Sequence, residues 1–355
     1  MANAPPRFDT TVPVRVNLFS DTQTRPTPAM RHAMLAAEVG DEQLGADPSV
    51  NALCDRMAAL LGKEAAVFLP SGTMCNEVAI LAQCRPGDEI LAHASAHIIT
   101  AEGGAPWALA GVRVEPLPGE RGQFTAAALE AAIRPPSRYT APQRMVAVEP
   151  TANLGGGSVW PLAELRAVAE LAHAHGLVTH MDGARLLNAA VASGTSAAEM
   201  AAGYDTVWLD FTKGLGAPLG AVLAGSAGVI DAAWCWKQRL GGALRQAGML
   251  AAACLHALDH HVERLAEDHE NARALAGALA ELPGLRVEPP ETNLVFFDTL
   301  GTTLTAAELA ARVRREGILI SAMGRYRARA CTHLDVDRAQ INEAAAALRR
   351  AVLAR

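Results

Sequence analysis

The stretch VWLDFTKGLGAPLG, Val207 to Gly220, sets a lysine between an apolar run and a glycine-rich turn. Of 31 basic residues only Lys63, Lys213 and Lys237 are lysine. Where positive charge alone is needed, this chain uses arginine. An amine differs from a guanidinium in that it can lose its proton when buried and attack a carbonyl. Lys213 therefore reads as a candidate nucleophile. The plainer alternative is a surface lysine capping a strand, as Lys63 in LLGKEAA would be.

Two other strand ends carry complementary groups. AAVFLP runs into SGTMCNEVAI, where Ser71, Gly72 and Thr73 open a helix. Free amides at a helix start, beside a glycine that permits close approach, make a phosphate cradle, although the same turn can be a simple cap. LVTHMD ends in Asp182, with Arg185 one turn on. Together these meet the needs of pyridoxal phosphate: an amine for its aldehyde, a carboxylate that keeps the pyridine nitrogen protonated, and an arginine near the ring oxygen. Asp182 as a cap and Arg185 in a surface ion pair are each reasonable alone. As a set they are less so.

The elements that must position these groups follow from the apolar pattern. Runs at 65–70, 89–93, 112–117, 144–149, 177–182, 206–211 and 220–225 predict seven strands, alternating with alanine-rich amphipathic helices such as PLAELRAVAELAHAHG. This is the pattern of an α/β domain built on a mainly parallel seven-stranded sheet, and ligands of such sheets bind at the carboxyl ends of the strands. After about residue 250 the texture changes to a smaller α+β domain. The division expected is an arm (1–35) contributing to the active site, a large cofactor-binding α/β domain (36–250) and a C-terminal α+β domain (251–355).

Composition excludes several classes of partner. The chain has 355 residues, 50% of them hydrophobic and 19% charged, with a net charge of -6. No concentrated basic face points to nucleic acid or an anionic membrane. The six cysteines are scattered without a CxxC pair, the N-terminus lacks an apolar signal core and no apolar run is long enough to span a membrane, so a cytoplasmic protein with reduced thiols is expected. HALDHHVERLAEDH places His256 and His260 four apart. A solvated helix face is the better reading than a metal site, because no further ligands converge on it.

NLFSDTQTRPTPAMRHAMLAAEVGDEQLGADPSVN, FLPSGTMCN, HMDGARLLNA, TKGLGAPLGAVLAG, LGGALRQAGMLAAACLHAL and THLDV together closely resemble the low-specificity L-threonine aldolases. These belong to the β-eliminating lyase superfamily, fold type I of the pyridoxal phosphate enzymes. The resemblance implies cleavage of β-hydroxy-α-amino acids to glycine and an aldehyde, in a homo-oligomer, a dimer of dimers. It further implies that Lys213 carries the cofactor, Asp182 meets the pyridine nitrogen and Arg185 the ring hydroxyl. His97 would stack on the ring. Gly72 and Thr73 would hold the phosphate with Arg245, the last reaching over from a neighbouring subunit. Ser20 and Arg329 would bind the substrate carboxylate, with Arg325 and Arg327 as substitutes for Arg329.

Four positions depart from the family pattern: Ala152 where a second histidine is usual, Leu44 for a tyrosine, Ala101 for an aromatic residue and Gln238 for a lysine. Each removes a ring or a charge expected near the substrate's β-substituent. A bulkier substrate than threonine follows as an expectation. The alternative is β-elimination or dehydration of a hydroxy amino acid, giving a 2-oxo acid and ammonia.

Overall fold

A computed structural model describes residues 11–354; the first ten residues of the expected N-terminal arm lie outside the described residues. The chain divides into two compact units, Thr24–Ala266 and the residues up to Gln23 together with those from Glu267 onward. Sequence texture drew the divisions at 35 and 250. The helix Gly248–His260 stays with the larger unit because its Ala251, Ala253, Cys254 and Ala257 are buried in that unit's core.

Strand β1 (Val16–Asn17) belongs to the smaller unit. The larger one holds β2 (Ala65–Leu69), β3 (Glu89–His93), β4 (Arg113–Leu117), β5 (Gln143–Val148), β6 (Val178–Gly183), β7 (Thr206–Asp210) and β8 (Ala221–Gly225). They form one sheet in the order β2-β8-β7-β6-β5-β3-β4. All seven are the runs expected from the sequence, and the sheet is mainly parallel as expected: only β8 runs antiparallel, against both β2 and β7.

Alternation along β7 shows how the sheet separates its faces. Val207 and Leu209 join Leu165, Val168 and Met181 in one core. Trp208 joins Val67, Val78 and Leu223 in another. Thr206 and Asp210 therefore share the face of Trp208, beneath the helix Gly72–Gln83. That helix starts cleanly, with the Ser71 hydroxyl accepting from the Met74 amide at 3.2 Å.

In the smaller unit, β9 (Arg286–Val287), β10 (Leu294–Asp298), β12 (Ser321–Ala322) and β13 (Arg327–Cys331) form an antiparallel sheet in the order β12-β13-β10-β9, and β1 pairs with β11 (Ile318–Leu319). The helix Arg338–Leu353 lays Ile341, Ala344 and Leu348 into a core shared with Val295 and Phe297.

Of the two lysines not singled out as nucleophiles, Lys63 caps a helix end, donating to the carbonyls of Ala201 and Tyr204. Lys237, next to the noted Gln238, is wholly buried against an equally buried Glu42 at 2.8 Å. Glu42 also accepts from the Leu244 amide, and its own amide donates to the Arg245 carbonyl. Burial pulls the Lys237 pKa down, while the bond to Glu42 opposes that. Glu42 thus ties the turn at 41–45 both to the helix Ala227–Arg239, through Lys237, and to the segment carrying Arg245. Lys237→Met would strand a buried carboxylate at a cost of about 3–5 kcal/mol. The expected result is a fall in the urea midpoint at unchanged slope, partly recovered when Glu42→Leu is added.

Candidate active site

The parallel register of β6 and β7 sets Asp182 opposite Trp208, and Lys213 follows three residues beyond the end of β7. Lys213 is 16% exposed; its amine contacts the Asp210 carboxylate and lies 5.7 Å from the centre of the Trp208 ring. Asp210 is held in turn by the amide and hydroxyl of Thr212, at 2.8 and 2.7 Å. The loop is tied down where the Thr24 hydroxyl donates to the Lys213 carbonyl. The lysine is thus presented on a short, anchored turn and keeps a route to solvent.

Asp182 is buried. One oxygen accepts from the Ala184 amide at 3.1 Å, the other from the Asn76 side chain at 2.9 Å. Burial raises its pKa, opposed by the charge of His97 and the bond from Asn76. His97 heads the one-turn helix His97–Thr100. Its amide donates to Glu149 at 2.9 Å and its Nδ1 bonds Glu102 at 2.7 Å. Burial pulls the His97 pKa down, but the bond to Glu102 and the charges of Asp182, Glu102 and Glu149 outweigh it, and the net shift is upward.

Ligating atoms of His97, Glu102 and Asp182 lie within 4.8 Å of one another. The spacing would suit a cation, but the facing atoms are already engaged: Glu102 Oε1 with Asn76 and His97, and Asp182 Oδ2 with Asn76. Elsewhere, His260 is exposed and His261 is buried on the Leu215 carbonyl.

Gly72 stands where no other residue fits. A Cβ there would come within 2.2 Å of the Trp208 ring. The amides of Gly72 and Thr73 fall ahead of the helical ladder, where first-turn amides have no intrahelical acceptor. Arg185 is buried just after β6. Arg245 is exposed and paired with Asp41 at 2.8 Å, away from any bond to this turn among the described residues. In the smaller unit, Ser20 is buried and accepts from the amide and hydroxyl of Thr22. Arg329, also buried, donates to the Phe19 carbonyl at 3.2 Å, so these two candidates meet on one segment. Arg327 is engaged with Glu288 at 3.0 Å and Arg325 lies over Tyr326.

The residues fit pyridoxal phosphate: an amine, an acid and a helix start on one face of one sheet, with a glycine that a Cβ would obstruct. Such a site on a mainly parallel seven-stranded sheet defines a pyridoxal phosphate enzyme of fold type I. The similarities to known proteins then narrow the class. Residues 17–301 match the Beta-eliminating lyase family, and the chain belongs to it. It is 40% identical to the low specificity L-threonine aldolase of Escherichia coli K12, over 96% of this chain and 100% of that protein. It is 38% identical to the low-specificity L-threonine aldolase 1 of Arabidopsis thaliana, over 95% and 96%. The threonine aldolase of Leishmania major has the same fold, with a TM-score of 0.82 at 21% identity, covering 95% of this chain and 99% of that one. The protein is a threonine-aldolase-like, pyridoxal phosphate-dependent lyase.

Sequence reasoning passed over Glu102, Asn76, Glu149, Asp210 and Glu77. Asn76 stood inside the quoted SGTMCN block, and Asp210 lies two residues from Trp208 on one strand face, so a period-two reading had the signal. Glu77 is the least expected. Its carboxyl faces that of Glu102, and no other described group donates to it. Burial first, and then the nearby charge of Glu102, pushes Glu77 up to about 8.

A pH dependence follows. From the unfolded value of 4.5 up to about 8, folded Glu77 keeps a proton that the unfolded chain releases, so stability falls as pH rises through that window. His180, pushed by burial from 6.5 down to about 3, acts oppositely, with stability lost as pH falls through its window. Above pH 6.5 the Glu77 contribution stands without that opposition. Glu77→Gln should flatten the decline of the melting temperature between pH 6.5 and 8, measured beside wild type by calorimetry.

Proposed function

We propose that this protein cleaves β-hydroxy-α-amino acids to glycine and an aldehyde, acts on a substrate bulkier than threonine, and works as a cytoplasmic homo-oligomer, a dimer of dimers. The observation that carries the reading is the Lys213 amine and the Asp182 carboxylate on neighbouring strand ends, with His97 beside the acid. The names of the relatives support the aldolase reading over β-elimination.

Pyridoxal phosphate, when bound, supplies an aldehyde for amines and a ring that takes up the electron pair of a bond broken at Cα. Lys213 would hold it, on a turn where the Asp210 carboxylate contacts and orients its amine. Asp182 would keep a proton on the ring nitrogen. Arg185 would meet the ring hydroxyl, and Gly72 and Thr73 would hold the phosphate, with Arg245 reaching it from a neighbouring subunit. Ser20 and Arg329 would bind the substrate carboxylate, a task suited to the planar guanidinium.

The four departures differ in what they leave behind. Leu44, Ala101 and Gln238 are exposed, and Ala101 closes the His97 helix with only a methyl group. Ala152 is buried, and its methyl is so close to Gly122 that a Cβ there would come within 2.3 Å. Room for a larger β-substituent therefore comes from the exposed three, whereas the backbone turn crowds the position of the missing imidazole. General-base help is worth about 10²–10⁴-fold, and here it falls to His97 or water.

Because His97 titrates above its ordinary value and a base works only unprotonated, kcat/KM should rise with pH through a value above 6.5, and His97→Asn should abolish that limb. Glycine release from threonine, allo-threonine and phenylserine is expected to favour phenylserine. Equal efficiency on all three would contradict the wide pocket, and a 2-oxo acid with ammonia in place of glycine would overturn the aldolase reading. Lys213→Ala should lose the visible absorbance of bound cofactor.

A further inference from the structure

Behind the cofactor acid lies a fully buried amide, Asn76, on the second turn of the helix Gly72–Gln83. Its hydrogen-bonding capacity is filled. Nδ2 donates to Glu102 Oε1 at 2.6 Å and to Asp182 Oδ2 at 2.9 Å. Oδ1 takes bonds from Trp208 Nε1 at 2.6 Å and His180 Nε2 at 3.0 Å.

Chemistry dictates the orientation. An indole nitrogen only donates and a carboxylate only accepts, so a flipped amide would set donor against donor and acceptor against acceptor. The histidine's tautomer is assigned in the same way. Gln83 donates to the Thr206 hydroxyl at 3.0 Å, leaving that hydroxyl's proton for His180 Nδ1 at 2.8 Å. Nε2 therefore carries the ring proton toward Asn76. Burial keeps this imidazole neutral at any ordinary pH.

We propose that Asn76 is a positioning residue that holds two functional carboxylates at once, Asp182 for the ring nitrogen and Glu102 for His97, with its own orientation imposed by Trp208 and by the Gln83–Thr206–His180 chain. Asn76 touches neither substrate nor cofactor in this scheme. Aspartate would lack the donors, and glutamine would be one methylene too long to hold all four partners. The proposal rests on the reading that the cofactor lies between His97 and Asp182, but one of its readouts does not.

The groups that face His97 are Glu102, Asp182 and Glu149, with Glu77 behind Glu102. Without the amide, Glu102 is no longer held in place at His97 Nδ1, and the bond that raises the imidazole loosens. Asn76→Leu, in protein freed of cofactor, should therefore lower the His97 titration midpoint followed by NMR. The same variant should raise the dissociation constant for pyridoxal phosphate by about tenfold or more, the scale of a lost buried bond to a charged group. Thr206→Val, which touches neither carboxylate, should move both readouts the same way by a smaller factor. A merely space-filling Asn76 predicts lower thermal stability with neither readout moved.

If folded Asn76→Leu keeps the wild-type His97 titration and cofactor affinity, the proposal fails. Should that variant not fold, unchanged readouts in Thr206→Val overturn it equally. Failure of wild type to bind pyridoxal phosphate would sink the reading of the site, and the His97 titration alone would then judge Asn76.

Discussion

Negative charge buried at the end of β6 is the constraint on which this structure turns. Asp182, Glu102, Glu77 and Glu149 are all buried within one region, and carboxylates out of water must be neutralised, paired or hydrogen-bonded. Each remedy is used. Glu77 keeps its proton, Glu102 is paired with His97, Asp182 has the Ala184 amide and Asn76, and Glu149 takes the amides of His97 and Asn153. The sheet's register, the start of the helix Gly72–Gln83 and the single turn at His97 are the means of delivering those donors.

Much of this was legible in residue order, for a definite reason. Strands buried on both faces must be continuously apolar, so all seven announced themselves, and the chemistry at their ends stood out as polar interruptions: Asp182 after LVTHM, Lys213 after VWLDF. Membership in the family could be read from ordered blocks. Partners brought in by folding could not. Asn76 and Asp182 are 106 residues apart, and no local pattern says which helical residue faces which strand end. The divisions between units were hidden for a similar reason, since the helix Gly248–His260 carries the alanine-rich texture of either unit and only its packing assigns it.

Lys237 and Lys213 show how far residue type can go as evidence. Scarcity made all lysines noteworthy in an arginine-rich chain, yet three different environments give three uses. Lys63 caps carbonyls, Lys237 is sealed against Glu42, and Lys213 stands partly open beside Asp210. Burial alone does not make an amine a nucleophile. The sealed one bolts its helix to the turn at 41–45, and the one with access to solvent is available for chemistry.

Trp208 touches both halves of the anchoring apparatus. Its ring lies against Gly72 at the start of the helix Gly72–Gln83, and its N–H secures Asn76 and, through it, Asp182. One rigid plate thus couples the start of the helix Gly72–Gln83 to the carboxylate at the end of β6. Leu44, Ala101 and Gln238 lie on exposed positions outside that plate. Those three exposed positions can therefore vary without tilting the indole, whereas any change that tilts it disturbs the helix start and the buried amide together.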